Sequence, residues 1–389
     1  MLAAGRMPRR VSWHHGRSKP RSLPHHRHVS RPKNRYYDPS KPHHRHDGFQ
    51  NNHSDFRPKS LAEVLLWRTN ASRNNLPPPP REPIPRIEPD LAFLHANAQA
   101  GAGMQPAVTW IGHATVLAQL SGLNVLTDPI FSERASPVSF AGPKRHQPPG
   151  ISLNELPRID LVIASHNHYD HLDEASIRHL NAQAGGPPLF VVPLGLEEWL
   201  RGKGVSHARE LDWWDSHTVD SPQGAVEVML LPSRHWSSRG LNDRMQSLWG
   251  GFAVMAPDCH LFYAGDTGYS RDFTDIRERL APRQAGRGFD IALLPIGAYE
   301  PRWFMADQHV NVHEAVKIHQ DLGAQRSLGV HWGTFELTDE SLDEPPRQLT
   351  LERGAAGLTE DDFFVLAIGE TRQIPRRPAS AARRRSGLE

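Results

Sequence analysis

The sequence predicts an α/β fold in which two β-sheets pack face to face and helices cover their outer faces. Short apolar runs typical of strands alternate with segments whose apolar residues recur at helical spacing. The part of the chain that begins at residue 107 also opens with three consecutive strands joined by short turns. A chain of 389 residues is long enough to enclose one large core of this kind.

The segments before residue 107 are predicted to lead into this sandwich. Residues 1–35 are rich in Arg, His, Pro and Ser, so they lack the apolar residues that a packed core needs. Residues 59–68 have helical spacing, and the Pro-rich run over 76–89 is typical of an extended linker. The predicted organisation is a disordered basic extension (1–35), an N-terminal helix and Pro-rich lead-in packed on the core (36–106), a catalytic domain (107–370) and a basic C-terminal tail (371–389).

From residue 107 onwards, strands and helices alternate. The runs AVTWIG (107–112), TVLAQL (115–120) and NVLTDP (124–129) predict a meander with a turn at Ser121-Gly122. This opening, followed by mixed elements, is what predicts two sheets flanked by helices. Further strands are predicted at 159–164, 189–193, 226–231, 260–264, 291–295 and 327–330, and helices at 173–180, 196–203, 272–280 and 312–322.

Composition and charge exclude several kinds of site. Cys259 is the only cysteine, so an intrachain disulfide and a thiolate metal cluster are both excluded. Residues 1–37 hold ten Lys and Arg and no acidic residue, whereas residues 38–369 hold 29 basic and 41 acidic residues. This acidic middle argues against nucleic acid as a partner, while the basic tails can contact anionic lipid. No apolar run approaches the roughly 18–20 residues of a membrane-spanning helix, so we expect a cytoplasmic protein.

The strongest chemical signal is the run His166-Asn167-His168-Tyr169-Asp170-His171, which directly follows an apolar strand. In an extended segment, residues two apart point to the same side, so His166 and His168 can bind one metal ion. Asp170 and His171 lie on the turn into the next helix and can bind a second ion. Imidazole nitrogen and carboxylate oxygen are ligands that Zn²⁺ accepts at about 2.0–2.2 Å.

Three further strands end in residues of the same kind, since His235, Asp266 and His331 each follow an apolar run within three residues. Strand ends at one edge of a sandwich lie close together, so we expect these residues to join the histidine run. A carboxylate such as Asp266 can bridge two ions, and two ions about 3.5–4 Å apart can share an activated water. The sequence therefore predicts a two-metal hydrolase site.

The remaining histidine clusters and a tryptophan pair receive structural interpretations. The histidines at 14–15, 25–28 and 43–46 lie in polar, Pro-rich sequence with no strand to hold them, so no specific metal role is predicted. Trp213 and Trp214 are predicted to pack rather than to take part in chemistry.

The SHNHYDHLD run (165–173), with its spacing to His235, Asp266 and His331, resembles the metallo-β-lactamase superfamily. Proteins of that superfamily form a four-layer αβ/βα sandwich with metal ions at one edge. Additional segments narrow the resemblance to the N-acyl-phosphatidylethanolamine-hydrolysing phospholipase D family, over residues 36–370. They include WIGHATVL (110–117), LTDPIFSERASP (126–137), ELDWWD (210–215), LPSRHWSSR (231–239), AGDTGY (264–269), LPIGAYEPRWFM (294–305), QHVN (308–311) and HWGTFELTDE (331–340).

The resemblance assigns roles to individual residues. It implies two Zn²⁺ per chain, one bound by His166, His168 and His235, the other by Asp170, His171 and His331, with Asp266 bridging them. Asp170, Asp266 and His309 are the predicted catalytic residues. His113 and Asp128 lie in matched segments and are predicted to support the metal ligands from outside the coordination sphere.

Substrate binding is predicted for Gln308 and His309, which match the QH pair of the family near the phosphate, and for Tyr299. An alternative role for Gln308 and His309 is capping of the helix at 312–322. Aromatic residues such as Tyr299 and Trp303 occur equally often in a hydrophobic core.

The function implied by the resemblance is hydrolysis of N-acyl-phosphatidylethanolamine to N-acylethanolamine and phosphatidic acid by a metal-bound hydroxide. A phospholipid substrate, peripheral contact with a membrane and a homodimer follow as expectations. Two alternatives stay open: a metal-dependent lactonase or other ester hydrolase using the same site, and a non-catalytic lipid- or nucleic-acid-binding protein that uses its basic tails. The QHVN and GAYEPRW segments favour the phosphodiesterase, and seven intact candidate ligands argue against a non-catalytic protein.

Overall fold

Two seven-stranded sheets dominate the computed structural model. The predicted extension up to residue 32, with its histidines at 14–15 and 25–28, lies outside the described residues. So do the last eleven residues of the predicted C-terminal tail. The structure describes residues 33–53, 56–240 and 242–378.

The first sheet combines an antiparallel half with a parallel half. Its order across the sheet is β16-β3-β4-β5-β6-β7-β8, and the pairs from β5 to β8 are parallel. The β4–β5 connection is the predicted two-residue turn: Ser121 and Gly122 both have positive φ, as a type I′ hairpin requires. The strands are β3 (Ala107–Gly112), β4 (Thr115–Leu120), β5 (Leu123–Thr127), β6 (Leu161–Ile163), β7 (Leu189–Pro193), β8 (Ala208–Leu211) and β16 (Thr371–Gln373).

The second sheet repeats this plan. It has an antiparallel half from β9 to β12 and a parallel half from β12 to β15, in the order β15-β14-β13-β12-β11-β10-β9. Two-sheet packing with this mixture of strands confirms the predicted fold class. The strands are β9 (Ser216–Ser221), β10 (Gly224–Leu231), β11 (Gly251–Ala256), β12 (Cys259–Tyr263), β13 (Ile291–Pro295), β14 (Ser327–Val330) and β15 (Phe363–Phe364).

Helices and a small hairpin complete the described chain. The hairpin is β1 (His44–Arg45) with β2 (Gly48–Phe49), and short 3-10 helices cover Gly101–Gly103 and Ala281–Gln284. Among the described residues, every helix is too short or too polar to cross a bilayer. The helices are α1 (Leu61–Arg73), α2 (Leu91–Gln99), α3 (Glu174–Asn181), α4 (Glu197–Gly202), α5 (Asp272–Leu280), α6 (Arg302–Met305), α7 (Val312–Leu322) and α8 (Glu344–Ala355).

The parallel strands of the first sheet are covered on both faces. In β6, Leu161 and Ile163 belong to the main core shared with the second sheet, whereas Val162 packs in a separate cluster with residues of α2, α3 and α4. Burial on both faces explains why these strands read as unbroken apolar runs. Leu196 and Leu200 are buried in the same outer cluster.

The prediction that residues 371–389 form a tail is wrong for the first residues of this range. β16 pairs antiparallel with β3, Ile374 is fully buried, and Arg377 forms an ion pair of 2.6 Å with Asp290. These residues extend the first sheet by one edge strand, because the free backbone groups of β3 are available there.

The interpretation of residues 43–46 is also corrected for His43 and His44, because His44 lies in β1 and His43 directly precedes it. His43 and His44 are buried, and their Nε2 atoms lie 2.7 and 2.9 Å from the two carboxylate oxygens of Asp212. Lys41 Nζ contacts the same carboxylate at 2.5 Å. Burial alone would raise the pKa of Asp212, but hydrogen bonds from His43 and Lys41 hold it well below its usual value. We name Lys41, His43, His44 and Asp212 the N-terminal anchor.

The lead-in between the N-terminal anchor and β3 packs on the sandwich. Ser60 and Glu63 form a capping box at the start of α1, which confirms the predicted helix and extends it to Arg73. Ile84 in the Pro-rich run is buried, and Ile368 N–H donates to Pro85 O at 2.9 Å.

Candidate metal centre

The ends of strands from both sheets meet at one edge of the sandwich, where all seven predicted ligands come together. His166 and His171 are buried after β6, and His235, Asp266 and His331 are buried after β10, β12 and β14. The side chains form two groups, within each of which the possible ligand atoms lie within 4.8 Å of one another. One group is His166, His168, His235 and Asp266; the other is His113, Asp170, His171 and His331.

Asp266 lies between the two groups, in the position that a bridging ligand needs. Its Oδ2 is 3.8 Å from the Nε2 atoms of both His166 and His235 and 3.0 Å from His171 Nε2. Its Oδ1 is 3.1 Å from His331 Nε2. Within the described chain, Asp266 Oδ1 is buried without a hydrogen-bond partner, and His168 faces His166 and His235 with its Nδ1 atom. Buried polar atoms of this kind are satisfied by a bound cation, so the site fits one.

Hydrogen bonds from outside the centre orient the rings of three histidines. His166 Nδ1 lies 2.9 Å from Ser165 Oγ, His235 Nδ1 donates to Gln308 O at 2.9 Å, and His171 Nδ1 lies 2.5 Å from Asp128 Oδ2. Contacts at Nδ1 leave Nε2 to face the centre, as is usual for metal-binding imidazoles.

Asp128 is the principal support of this edge. Besides contacting His171, its fully buried carboxylate accepts hydrogen bonds from Ser165 N–H at 2.6 Å and from the hydroxyls of Ser165 and Tyr263 at 2.5 Å. These contacts match its predicted supporting role. His113 also fits that role, because its Nε2 lies 3.1 Å from Asp170 Oδ2, within hydrogen-bond distance of a predicted ligand.

Backbone strain is concentrated at the same edge. His113 and His331 have φ of 53° and 64°, which side chains with a Cβ rarely adopt. They are coupled, since His331 N–H donates to His113 O at 2.9 Å and their ring centroids are 4.0 Å apart. Gly297 permits this turn, because a Cβ there would lie 2.2 Å from His331 O. Strain of this sort is characteristic of functional sites.

Burial keeps most of these imidazoles neutral. It lowers the pKa of His168 to about 4 and the pKa values of His235 and His309 to about 3. Burial opposes ionisation of Asp266 as well, but the neighbouring His171 and His331 hold its pKa well below its usual value. Neutral imidazoles beside ionised carboxylates are the forms that bind metal, and this sulfur-free set suits a borderline cation such as Zn²⁺.

Comparison with known proteins places the chain. Residues 123–332 match the family model described as "Beta-lactamase superfamily domain". The chain is 40% identical over 273 residues to N-acyl-phosphatidylethanolamine-hydrolyzing phospholipase D 1 of Caenorhabditis elegans, covering 67% of this chain and 74% of the relative. The chain belongs to the N-acyl-phosphatidylethanolamine-hydrolysing phospholipase D family. It is a metal-dependent hydrolase, as predicted.

Two further comparisons agree with this family. The mitochondrial N-acyl-phosphatidylethanolamine-hydrolyzing phospholipase D of Saccharomyces cerevisiae is 38% identical over 265 residues, covering 68% of this chain and 55% of the relative. Isothiocyanate hydrolase from Delia radicum gut bacteria superposes with a TM-score of 0.53 at 21% identity, over 69% of this chain and 99% of the neighbour. The latter likeness shows the shared fold.

Gln308 and His309, which the resemblance to the phospholipase D family predicted to bind substrate, lie between α6 and α7. Asn311, not Gln308 or His309, caps α7, so the capping alternative is wrong. Gln308 is buried and gives its carbonyl to His235, while its amide donates to Met305 Sδ at 3.2 Å. His309 Nδ1 lies 3.9 Å from Asp266 Oδ2, and it has no hydrogen-bond partner among the described residues. His309 therefore borders the metal centre.

Tyr299, the other substrate-binding prediction, occupies a different environment. Its ring is buried in the main core, and its hydroxyl donates to Glu344 Oε1 on α8 at 2.9 Å. This position agrees with the alternative that Tyr299 is a core residue, because its hydroxyl already donates a hydrogen bond to Glu344. Trp303 on α6 is half exposed. Trp213 packs as predicted, with its indole donating to Trp249 O at 2.6 Å.

Two supporting residues were missed from the sequence. Arg239 donates from one guanidinium nitrogen to the carbonyls of Asn167, at 3.1 Å, and Leu172, at 2.7 Å. Arg239 thereby links the main chain near both ends of the segment 166–171, which carries four of the predicted metal ligands of this phospholipase D family member. Asn51 hydrogen-bonds the backbone of His235. Arg239 lies in the matched segment 231–239, but residue type alone does not reveal either role, because both side chains act on main-chain atoms of distant segments.

Proposed function

We propose that this protein is a phospholipase D-type phosphodiesterase that hydrolyses N-acyl-phosphatidylethanolamine with two Zn²⁺ per chain. The observation that carries the proposal is the pair of ligand groups that share Asp266 and border His309. The relatives in Caenorhabditis elegans and Saccharomyces cerevisiae, at 40% and 38% identity, are named for this reaction. The products are N-acylethanolamine and phosphatidic acid.

The chemistry divides between the ions and the chain. When bound, two Zn²⁺ polarise a phosphodiester and acidify a water molecule. Asp266 holds the two ligand groups together, and Asp170 adds a second carboxylate at the centre. His309 is neutral near pH 7, so its N–H can donate to a phosphoryl oxygen. Water is added across the phosphorus–oxygen bond to the ethanolamide; that oxygen takes the proton, and phosphate remains on the diacylglycerol.

Purified, zinc-loaded protein is expected to release N-acylethanolamine from N-acyl-phosphatidylethanolamine in mixed micelles, and EDTA should stop this release. His166→Ala and Asp170→Asn should each lower turnover about 10³-fold, since loss of an ion removes about 4 kcal/mol of transition-state stabilisation. Circular dichroism should show an intact fold. His313→Ala is the matched control, because His313 is exposed on α7 and contacts Glu352.

The results separate the phosphodiesterase from its alternative. Near-wild-type turnover in both ligand variants would contradict the two-metal proposal. A protein that holds two Zn²⁺ yet releases no N-acylethanolamine would be tested on lactones, because an ester hydrolase could use the same ligands.

A membrane contact follows from a lipid substrate, and we propose that α1 provides it. Leu61, Leu65 and Leu66 on α1 are 77%, 66% and 54% exposed, although most leucines of the chain are buried. Trp67 packs beneath them against Phe304 on α6, with ring centroids 4.9 Å apart. The turn after α6 carries Gln308 and His309, so α1 packs on the short helix that precedes the residue bordering the metal centre. We call Leu61, Leu65 and Leu66 the α1 surface.

Replacing Leu65 and Leu66 by Ser should weaken sedimentation with phosphatidylserine–phosphatidylcholine vesicles. Each leucine that enters the bilayer contributes about 1.5 kcal/mol or more, so the double variant should bind about 10²-fold more weakly. Leu351→Ser on α8 is the control, since Leu351 is equally exposed at a different place. Unchanged binding by the double variant would exclude α1 and direct attention to the basic tails. Turnover of a water-soluble phosphodiester should stay normal.

A further inference from the structure

A single buried side chain of the N-terminal segment holds the backbone of a metal ligand. Asn51 follows β2 and is buried. Its Nδ2 donates to His235 O at 2.9 Å, and His235 N–H donates to Asn51 Oδ1 at 3.1 Å. One amide therefore satisfies both main-chain polar groups of His235, across 184 residues of sequence.

The Asn51 amide is itself held in place. The Trp249 indole N–H donates to Asn51 Oδ1 at 3.2 Å, which fixes the orientation of the amide. Two residues earlier, Phe49 is fully buried, and its N–H donates to Met245 O at 2.8 Å. The N-terminal anchor on Asp212 secures the same segment at its other end. Asn51 thus follows a segment that is held on the sandwich at two points, at Phe49 and at the N-terminal anchor.

The consequence reaches the imidazole of His235. Its main chain is fixed by Asn51, and its Nδ1–H is fixed by Gln308 O. The remaining nitrogen, Nε2, lies 3.3 Å from His168 Nδ1 and 3.8 Å from Asp266 Oδ2. Since a zinc ligand must lie within about 0.2 Å of its required distance, a loosened backbone at His235 weakens binding directly.

We infer that Asn51 is a positioning residue for His235. The N-terminal segment therefore helps to hold a ligand of the metal centre in place. The inference rests on the two-metal site of the proposed function. It concerns only the ion held by His166, His168 and His235, because Asn51 has no hydrogen bond to the second ligand group. Loss of Asn51 should therefore affect the two ions unequally.

The experiment measures zinc per chain during titration with a chelator. Asn51→Ala should release one ion at about 10- to 100-fold lower chelator strength than the wild type, and the other ion at wild-type strength. Asn51→Asp should do the same, because a carboxylate cannot donate to His235 O. Turnover by either variant should recover at saturating Zn²⁺. Asn52→Ala is the control, since Asn52 contacts Asp272 and not the metal centre.

Each outcome decides one question. If the wild type holds two ions and the folded Asn51 variants release both with wild-type affinity, the positioning role is excluded. Equal weakening of both ions, or a lower melting temperature without a change in zinc affinity, would also exclude it, because either marks a general structural role. Should Asn51→Ala fail to fold, the near-isosteric Asn51→Asp decides. A wild type that holds fewer than two ions would instead overturn the two-metal proposal.

Discussion

Asp266→Asn is expected to lower phosphodiester hydrolysis about 10³-fold or more and to reduce zinc to about one ion per chain. Asn preserves the shape of Asp266 but carries no charge and offers one oxygen in place of two. The single amide oxygen of Asn cannot replace both carboxylate oxygens of Asp266. Oδ1 lies 3.1 Å from His331 Nε2, whereas Oδ2 faces His166 and His235. Zinc analysis combined with turnover of N-acyl-phosphatidylethanolamine measures the effect.

A surface substitution provides the comparison for Asp266. Asp275 on α5 is partly exposed and forms an ion pair with the exposed Arg271, away from the two ligand groups. Asp275→Asn should retain both ions and full turnover, since exposed pairs of this kind contribute little. Full zinc content together with full turnover in Asp266→Asn would mean that Asp266 does not bridge the ions.

Asp212→Ala is expected to lower the free energy of unfolding by about 3–5 kcal/mol. The carboxylate of Asp212 is the common partner of His43, His44 and Lys41, so its removal leaves two buried imidazoles without a hydrogen-bond partner and the Lys41 ammonium group without its counter-charge. Urea unfolding at pH 7, with zinc at a fixed concentration, measures the loss. Asp220→Ala, at an exposed position of β9, should change stability by less than about 0.5 kcal/mol.

The pH dependence of the Asp212 contribution has a defined sign. Its pKa is lower in the folded protein than the ordinary value near 3.9. The stabilisation is therefore complete above the unfolded pKa and is lost as the pH falls through the lower, folded value. The difference in stability between the wild type and Asp212→Ala should shrink in acid. A difference that is constant down to pH 2 would contradict this electrostatic origin.

The sequence predicted most of the buried strands but missed β11, which is fully buried in the middle of the second sheet. β3, β4, β7, β13 and β14 occur with the predicted bounds, as do α5 and α7. β8 and β9 were missed because they are edge strands with partly polar sequences, AREL and SHTVDS. β16 was missed for the same reason, since it is recognisable only by its pairing with β3.

The candidate site was predictable to the extent that ligand chemistry is local. His166 to His171 sit on one run, and His235, Asp266 and His331 follow strands whose apolar patterns are plain. Supporting contacts depend on which main-chain atoms come together in space. Asn51 and Arg239 act through carbonyl and amide groups of distant residues, so residue type and spacing do not predict these contacts, even though Arg239 ends the matched segment 231–239.

The two ligand groups draw on both halves of the sandwich, since Asp170 and His171 follow a strand of the first sheet, and His235, Asp266 and His331 follow strands of the second. Metal binding and the packing of the two sheets against each other are therefore thermodynamically linked. At a free zinc concentration about 100 times the dissociation constant, one site adds about 2.7 kcal/mol to the folded state. Removal of the proposed zinc ions is therefore expected to make the chain more susceptible to proteolysis.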